Sequence, residues 1–442
     1  MMKKRGRFCG SMVGDTAFFD REMVDEFIAK APKQFTQIAR APANNVIFGG
    51  KNAIFAPVYG PPFIHNLDRG RREATLQDFQ NFVKLAYSTP YLNHSGGTIV
   101  EPTDEPTHTR HLDMVYSHIK YSSKPFMGSV TTGENAEDSV RMAEIALGAE
   151  AIRENPALVS LINVSSPRRY DDRMLAAIKA YARAGQAMIL TPFLFSGAMA
   201  PVGIAGTLIQ MNAEALAGII LTQMINPGNP VVFGAFQTNI DLQSGAPVFG
   251  SPESQMALYG AAQLARRHGL PFRSGGMFAS SKIPDAQSAY ESVMVMKAAV
   301  LGHVNFVLHA AGWLEGGLAA GYEKFVMDCE LLGMFQKLMQ GLDLSENGLA
   351  MDSLRNVAVD DHHLGTPHTM ANFRTAFHRS TLFDYNSFEQ WREEGSERAD
   401  QKANKRYKQM LKEYEAPPFD PAVDEALQAF MTKRKSEIKP EF

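Results

Sequence analysis

From about residue 97 the chain alternates short apolar or β-branched runs with helical stretches, and this rhythm constrains its fold more than any other feature. The runs begin near Gly97, Pro125, Leu158, Ala187, Pro230, Pro271, Asn305 and His363, and each but the last leads into a helix pattern. Alternating units of this kind imply an α/β architecture with parallel strands, and eight of them are the number a (β/α)8 barrel requires. Several helix starts carry fitting caps: Asn135-Ala-Glu-Asp, Ser251-Pro-Glu-Ser, and Asp285 with Gln287 behind it. The expected organisation of the 442 residues is an N-terminal wrapping segment over 1–96, a TIM-type barrel over 97–383 and a C-terminal helical extension over 384–442.

Within the first segment, Asp20–Lys30 has helical spacing, and residues 46–55 read as two short strands joined by a glycine turn. Thr75–Ser88 reads as an amphipathic helix with Thr75 as N-cap and Asp78 closing a capping box. Between the seventh and eighth units, residues 341–359 give only one helix, near Ser345–Arg355. Glu389 to Glu415 holds seven acidic and seven basic residues, with Trp391, Tyr407, Met410, Leu411 and Tyr414 at helical spacings. Such a stretch is either a solvated helix packed outside the barrel or a docking surface. After Pro417-Pro-Phe-Asp-Pro a final helix is expected from Ala422 to Lys435.

Composition narrows the function. Net charge is −3 and no long Lys/Arg stripe is present, which argues against a nucleic-acid partner. Only Cys9 and Cys329 occur, too few for a disulfide framework or a cysteine zinc site, so a reducing cytoplasm is the expected compartment. The basic N-terminus is followed by no apolar signal core, so export is not expected. The apolar helix candidate Glu214–Ile225 ends at Asn226-Pro-Gly-Asn-Pro, short of the roughly 20 residues of a membrane span, and reads as a buried helix.

In a barrel the ligand site is built by the loops after the strands. After the fourth run, Thr191 to Thr207 is glycine-rich and nearly uncharged, with Phe195 as an aromatic wall. After the fifth come Phe236, Gln237, Asn239, Asp241 and Gln243, with Phe233 just before them. The sixth contributes Arg273, Phe278 and Lys282; Arg273 and Lys282 are candidate anion-binding groups, though Lys282 reads rather as a surface lysine capping the turn before Pro284. The seventh, His309-Ala-Ala-Gly-Trp-Leu-Glu-Gly-Gly-Leu, places an imidazole, an indole and a carboxylate among three glycines. A glycine-rich turn at a strand end suits a ligand. The same His309 and Trp313 fit ordinary core packing, so both readings stand at this point.

The eighth loop carries His362, His363 and His368, but adjacent residues of a strand point to opposite faces, which disfavours a shared metal. No G-x-S-x-G elbow supports a serine hydrolase, and no glycine-lysine phosphate loop is present. A Schiff-base role for Lys282 requires a desolvated amine.

Several of these stretches, in one order, resemble the trimethylamine methyltransferase family: Gly70-Arg-Arg-Glu-Ala-Thr-Leu-Gln-Asp, Gly269-Leu-Pro-Phe-Arg-Ser-Gly-Gly, Ser281-Lys-Ile-Pro-Asp-Ala-Gln-Ser-Ala-Tyr-Glu, His309 to Leu318, Tyr322-Glu-Lys-Phe and His363-Leu-Gly-Thr-Pro-His-Thr. The resemblance runs from about residue 20 to the C-terminus. It implies a barrel that passes a methyl group from a methylamine to the cobalt(I) of a corrinoid (cobalamin) carried by a separate small protein. Family members that use trimethylamine carry pyrrolysine, whereas those without it resemble demethylases of quaternary amines such as glycine betaine. This chain contains standard residues only.

The chemistry fits, because a quaternary ammonium leaves as a neutral amine without needing a proton. On this reading Trp313, Phe236, Phe195 and Phe278 form a cage for the ammonium, with Glu315 or Asp241 adding charge. Arg273, His309 or His363 takes a substrate carboxylate. The expected partners are the amine and the corrinoid protein, with no nucleic acid or membrane, and self-association into a homo-oligomer is kept open. The alternatives are a non-catalytic betaine-binding or regulatory barrel, or a methyltransferase for a sulfonium or another methylated amine.

Overall fold

The computed structural model describes residues 10–439. The sheet is built from short, almost wholly buried strands, the pattern expected when helices cover a parallel sheet. Ile54–Phe55 lies beside Phe306–Leu308, followed by Phe272–Gly275, Val231–Gly234, Ala187–Ser196 and Val159–Val164, every neighbouring pair parallel. Ala187–Ser196 is long enough to pair first with Val231–Gly234 and then, nearer the site, with Phe236–Ile240.

Backbone hydrogen bonds then lead back from Val159–Val164 to Ile54–Phe55. Phe126 bridges Leu158, Met127 N–H donates to Gly96 O (2.8 Å), Ser95 N–H to Pro125 O (2.8 Å) and Asn93 N–H to Phe55 O (3.2 Å). The protein is therefore an α/β protein whose parallel runs form a hydrogen-bonded circuit.

Two expectations need correction here. The eighth run near His363 is not a strand: residues 361–366 form exposed bends and turns. Its place is taken by Ile54–Phe55, from the stretch expected only to wrap, so a boundary at residue 97 cuts the sheet. A two-residue strand has no periodicity to detect. The two short strands expected over residues 46–55 are present as Val46–Gly49 and Ile54–Phe55 with Gly50 and Lys51 in the turn between them, and the first pairs antiparallel with Gln34–Gln37.

The apolar helix is longer than expected, spanning Ile204–Ile225, and by length and composition it could cross a membrane. It packs on the strand Ala187–Ser196 and between neighbouring helices. Its Glu214, 2% exposed, accepts hydrogen bonds from Arg168 N–H (2.7 Å), Ser166 Oγ (2.5 Å) and Gln210 Nε2 (2.9 Å). The helix is buried on the side toward the sheet, where its interior carboxylate is satisfied, while Ile209 (73% exposed) and Met224 face outward.

The capping box of the helix Leu76–Ser88 is present as expected, and Asp78 also takes two hydrogen bonds from Arg72. The charged C-terminal stretch is broken near Gly395 into Phe388–Glu393 and Ala399–Lys412. The second of these packs on Tyr322–Met339, with Tyr407 stacked on Tyr322 at 4.7 Å. The last helix, Pro421–Glu437, lies on Gly133–Leu147, where Arg434 pairs with Asp138 at 2.7 Å.

Candidate functional site

A cavity of about 640 Å³ opens at the C-terminal ends of the strands. Parallel pairing sets its walls. The register Phe193↔Phe236 puts those rings 4.7 Å apart, and Phe195 continues the same face at 4.7 Å from Phe193. From the next loops, Phe249 and Phe278 lie 6.0 and 5.0 Å from Phe236. Trp313 completes the cluster, 4.8 Å from Phe278 and 5.4 Å from Phe249.

Two glycines make this packing fit. A Cβ on Gly275 would stand 1.8 Å from the Phe278 ring, and one on Gly317 would stand 2.4 Å from the Trp313 indole. Gly317 also has φ +96°, a conformation that disfavours any side chain.

Polar groups converge beside this aromatic wall. Arg273, on the strand Phe272–Gly275, is 1% exposed, and its Nε and Nη1 find no hydrogen-bond partner among the described residues. Its Nη2 lies 3.1 Å from His309 Nε2, and its Cζ is 5.6 Å from the centre of the Phe236 ring. Burial pushes the guanidinium down to about 9, partly offset by the Tyr59 hydroxyl, so it remains cationic at neutral pH. Burial, reinforced by the Arg273 charge, holds His309 well below the usual imidazole range, so its ring is neutral.

The ring's Nδ1 accepts from Tyr59 N–H at 3.1 Å. A neutral imidazole with Nδ1 accepting carries its proton on Nε2. Two donors, Nε2–H and the guanidinium, therefore face each other with no acceptor between them. An anionic oxygen placed there satisfies both, and an unpaired buried cation makes that placement favourable.

The loops are tied together by backbone bonds. Met277 N–H donates to His309 O (2.8 Å), Glu315 N–H to Ser281 O (2.8 Å) and Gly316 N–H to Ala279 O (2.9 Å). Beneath the Trp313 turn, Gly312 N–H donates to Asp328 Oδ2 at 2.8 Å, and Asp328 forms a buried ion pair with Lys324 at 2.5 Å. Burial, countered by Lys324, raises the Asp328 carboxyl to about 6.

Of the residues selected from sequence, Trp313, Phe236, Phe195, His309, Glu315 and Arg273 line the cavity, and Phe278 packs behind Trp313 and Phe236. Glu315 is bound by Arg71 at 2.8 Å, and Arg71 in turn stacks over Phe63 at 3.6 Å, so its charge is already paired. Lys282 reaches the rim, exposed, donating to Ser280 O.

Two selected residues lie elsewhere. Asp241 sits at an exposed turn and accepts from Ser244 and Gln243, which lower its pKa. His363 lies on the exposed segment, bonded to Ser353 Oγ at 2.9 Å. His368 bonds Asn347 O instead of joining His363, and the aromatic candidate Phe233 is in the core. The sequence reading missed Tyr59, Phe193 and Phe249. Phe193 was discoverable, because alternation continues through Thr191–Ser196.

The family model described as trimethylamine methyltransferase (MTTB) matches residues 2–439. The glycine betaine methyltransferase of Desulfitobacterium hafniense (strain Y51) is 46% identical over 429 residues, which covers 97% of this chain and 89% of that protein. The proline betaine:corrinoid methyltransferase of Eubacterium limosum is 31% identical over 355 residues, covering 78% and 72%. The trimethylamine methyltransferase MttB of D. hafniense (strain DSM 10664 / DCB-2) is 27% identical over 419 residues, covering 94% and 84%.

Proposed function

The chain belongs to the trimethylamine methyltransferase family, and from that premise we propose that it moves a methyl group from a betaine to the cobalt(I) of a corrinoid carried by a partner protein. The observation that carries the substrate class is Arg273: a buried guanidinium with two unpaired edges beside a wall of aromatic rings. A zwitterion with a carboxylate at one end and a quaternary ammonium at the other matches both halves. The higher identity to a betaine enzyme than to a trimethylamine enzyme points the same way.

Arg273 and the Nε2–H of His309 hold the carboxylate. Trp313, Phe236 and Phe195 face the ammonium, each good contact contributing about 0.5–2 kcal/mol by cation–π attraction in a desolvated site. Anchoring both ends fixes the direction of the N–CH3 bond, and burial excludes water from it. The acceptor is a second substrate brought by the partner, and it supplies the nucleophilic electron pair. The methyl carbon bonds to cobalt as the C–N bond breaks, and that bond's electrons stay on nitrogen as a neutral tertiary amine. No general acid is required, which accounts for a cavity whose carboxylate, Glu315, is engaged by Arg71.

We read the circuit of parallel runs as a (β/α)8 barrel with Ile54–Phe55 as its first strand, which puts the cavity where barrel enzymes bind their ligands. A cobalt(I) acceptor fits a reducing cytoplasm, as does the buried free thiol of Cys329.

Calorimetric titration tests the substrate class. A betaine should saturate one site, and choline, which has the ammonium but no carboxylate, should bind at least tenfold more weakly. Equal affinity for the two would sink the carboxylate reading.

A further inference from the structure

The polar end of the cavity continues past Arg273 on the side away from His309. Along the strand Ala187–Ser196, Ile189 packs with Leu161, Val232 and Leu308 in the apolar cluster that fills the circuit of strands, and Phe193 and Phe195 line the cavity above it. Alternate residues of a strand share a face, so Thr191, between them, points inward at the cavity floor. Its register partner Asn163 opens onto the same cavity. Thr191 itself is 1% exposed, and its hydroxyl finds no hydrogen-bond partner among the described residues.

The neighbouring position explains what this hydroxyl faces. Gly234 follows the pair Phe233 and Leu190, which places it beside Thr191, and on its other side it is the register partner of Arg273. A Cβ at Gly234 would stand 1.9 Å from Thr191 Oγ1, so the hydroxyl occupies the space a side chain would fill. Neighbouring strands lie about 4.8 Å apart, and nothing but that glycine separates the hydroxyl from the strand of Arg273. Arg273 Nε and Nη1 are unpartnered too. Thr191 and His309 thus flank the guanidinium from opposite sides, each with a hydrogen to donate. A buried hydroxyl without a partner is unfavourable, and a ligand oxygen relieves it.

We propose that Thr191 determines specificity for the acid end of the substrate, its hydroxyl donating to the carboxylate held by Arg273 and His309. The proposal rests on the betaine reading of the site. A carboxylate offers two oxygens and about four lone-pair positions, enough for all three donors.

Calorimetry with glycine betaine and with tetramethylammonium, which has no oxygen, tests it on the unaltered chain and on Thr191→Val and Thr191→Ser. Thr191→Val should weaken betaine binding about tenfold or more and leave tetramethylammonium binding within about threefold, while Thr191→Ser should keep most of the betaine affinity. The Tm of unliganded Thr191→Val should hold or rise, since an unpaired polar group gives way to an apolar one of the same shape. Unchanged betaine affinity in Thr191→Val would mean that the hydroxyl bonds only water, and a lowered Tm with equal loss of both ligands would mean a packing role; either overturns the proposal. If the unaltered chain binds betaine no better than tetramethylammonium, the betaine reading itself fails, and the role of Thr191 falls with it.

Discussion

Nε2 of His309 stands 3.1 Å from Nη2 of Arg273, two donors left facing one another because Tyr59 N–H already occupies the other ring nitrogen. A substrate oxygen resolves that contact, so specificity should depend on it. Replacing Arg273 with Gln removes the charge while keeping polar bulk. A hydrogen bond to a charged group contributes about 1.5–3 kcal/mol, so betaine affinity should fall roughly 10- to 150-fold, whereas choline binding should change little. Calorimetry on both ligands checks this.

Affinity should be flat with pH across the neutral range. Burial lowers the Arg273 pKa, but a guanidinium stays protonated in proteins, so the cation is present throughout. His309, held neutral well below the usual range, should add no inflection between about pH 6 and 8. A KM for a betaine that changes about tenfold between about pH 6 and 8 would contradict this assignment.

Trp313→Ala should weaken betaine binding at least tenfold, through lost cation–π contact and a loosened wall. Gly317→Ala should do so less directly, because its Cβ would displace the indole and its φ of +96° disfavours a side chain. Unchanged affinity in both variants would make Trp313 a packing residue only.

The turn that carries Trp313 rests on a buried ion pair. Asp328→Asn leaves Lys324 without its counter-charge, a one-sided break that typically costs about 3–5 kcal/mol. A lowered Tm is expected, and the double variant Lys324→Met/Asp328→Asn should recover much of it. Failure of the double variant to recover would show that the pair is not the source of the loss.

Much of the site was legible in the chain because its residues follow strands long enough to show a pattern. Arg273 and His309 sit at the ends of apolar runs, and Trp313 stands among glycines whose spacing marks a turn. Tyr59 was hidden because the strand that leads to it, Ile54–Phe55, is only two residues long. Asp241 and His363 were misplaced for a common reason: a loop's residue types do not reveal which way it turns. Asp241 is carried outward by the pairing of Phe236–Ile240 with Pro247–Val248, and His363 by the exposed segment 341–379, which never joins the sheet.

The central claim is methyl transfer from a betaine, and the most direct measurement is the absorbance of free cobalamin, reduced to cobalt(I), incubated with this protein and glycine betaine. The account predicts that methylcobalamin forms with one equivalent of the tertiary amine, and that Arg273→Gln slows this at subsaturating betaine. Saturable betaine binding with no methylcobalamin under reducing conditions would contradict it.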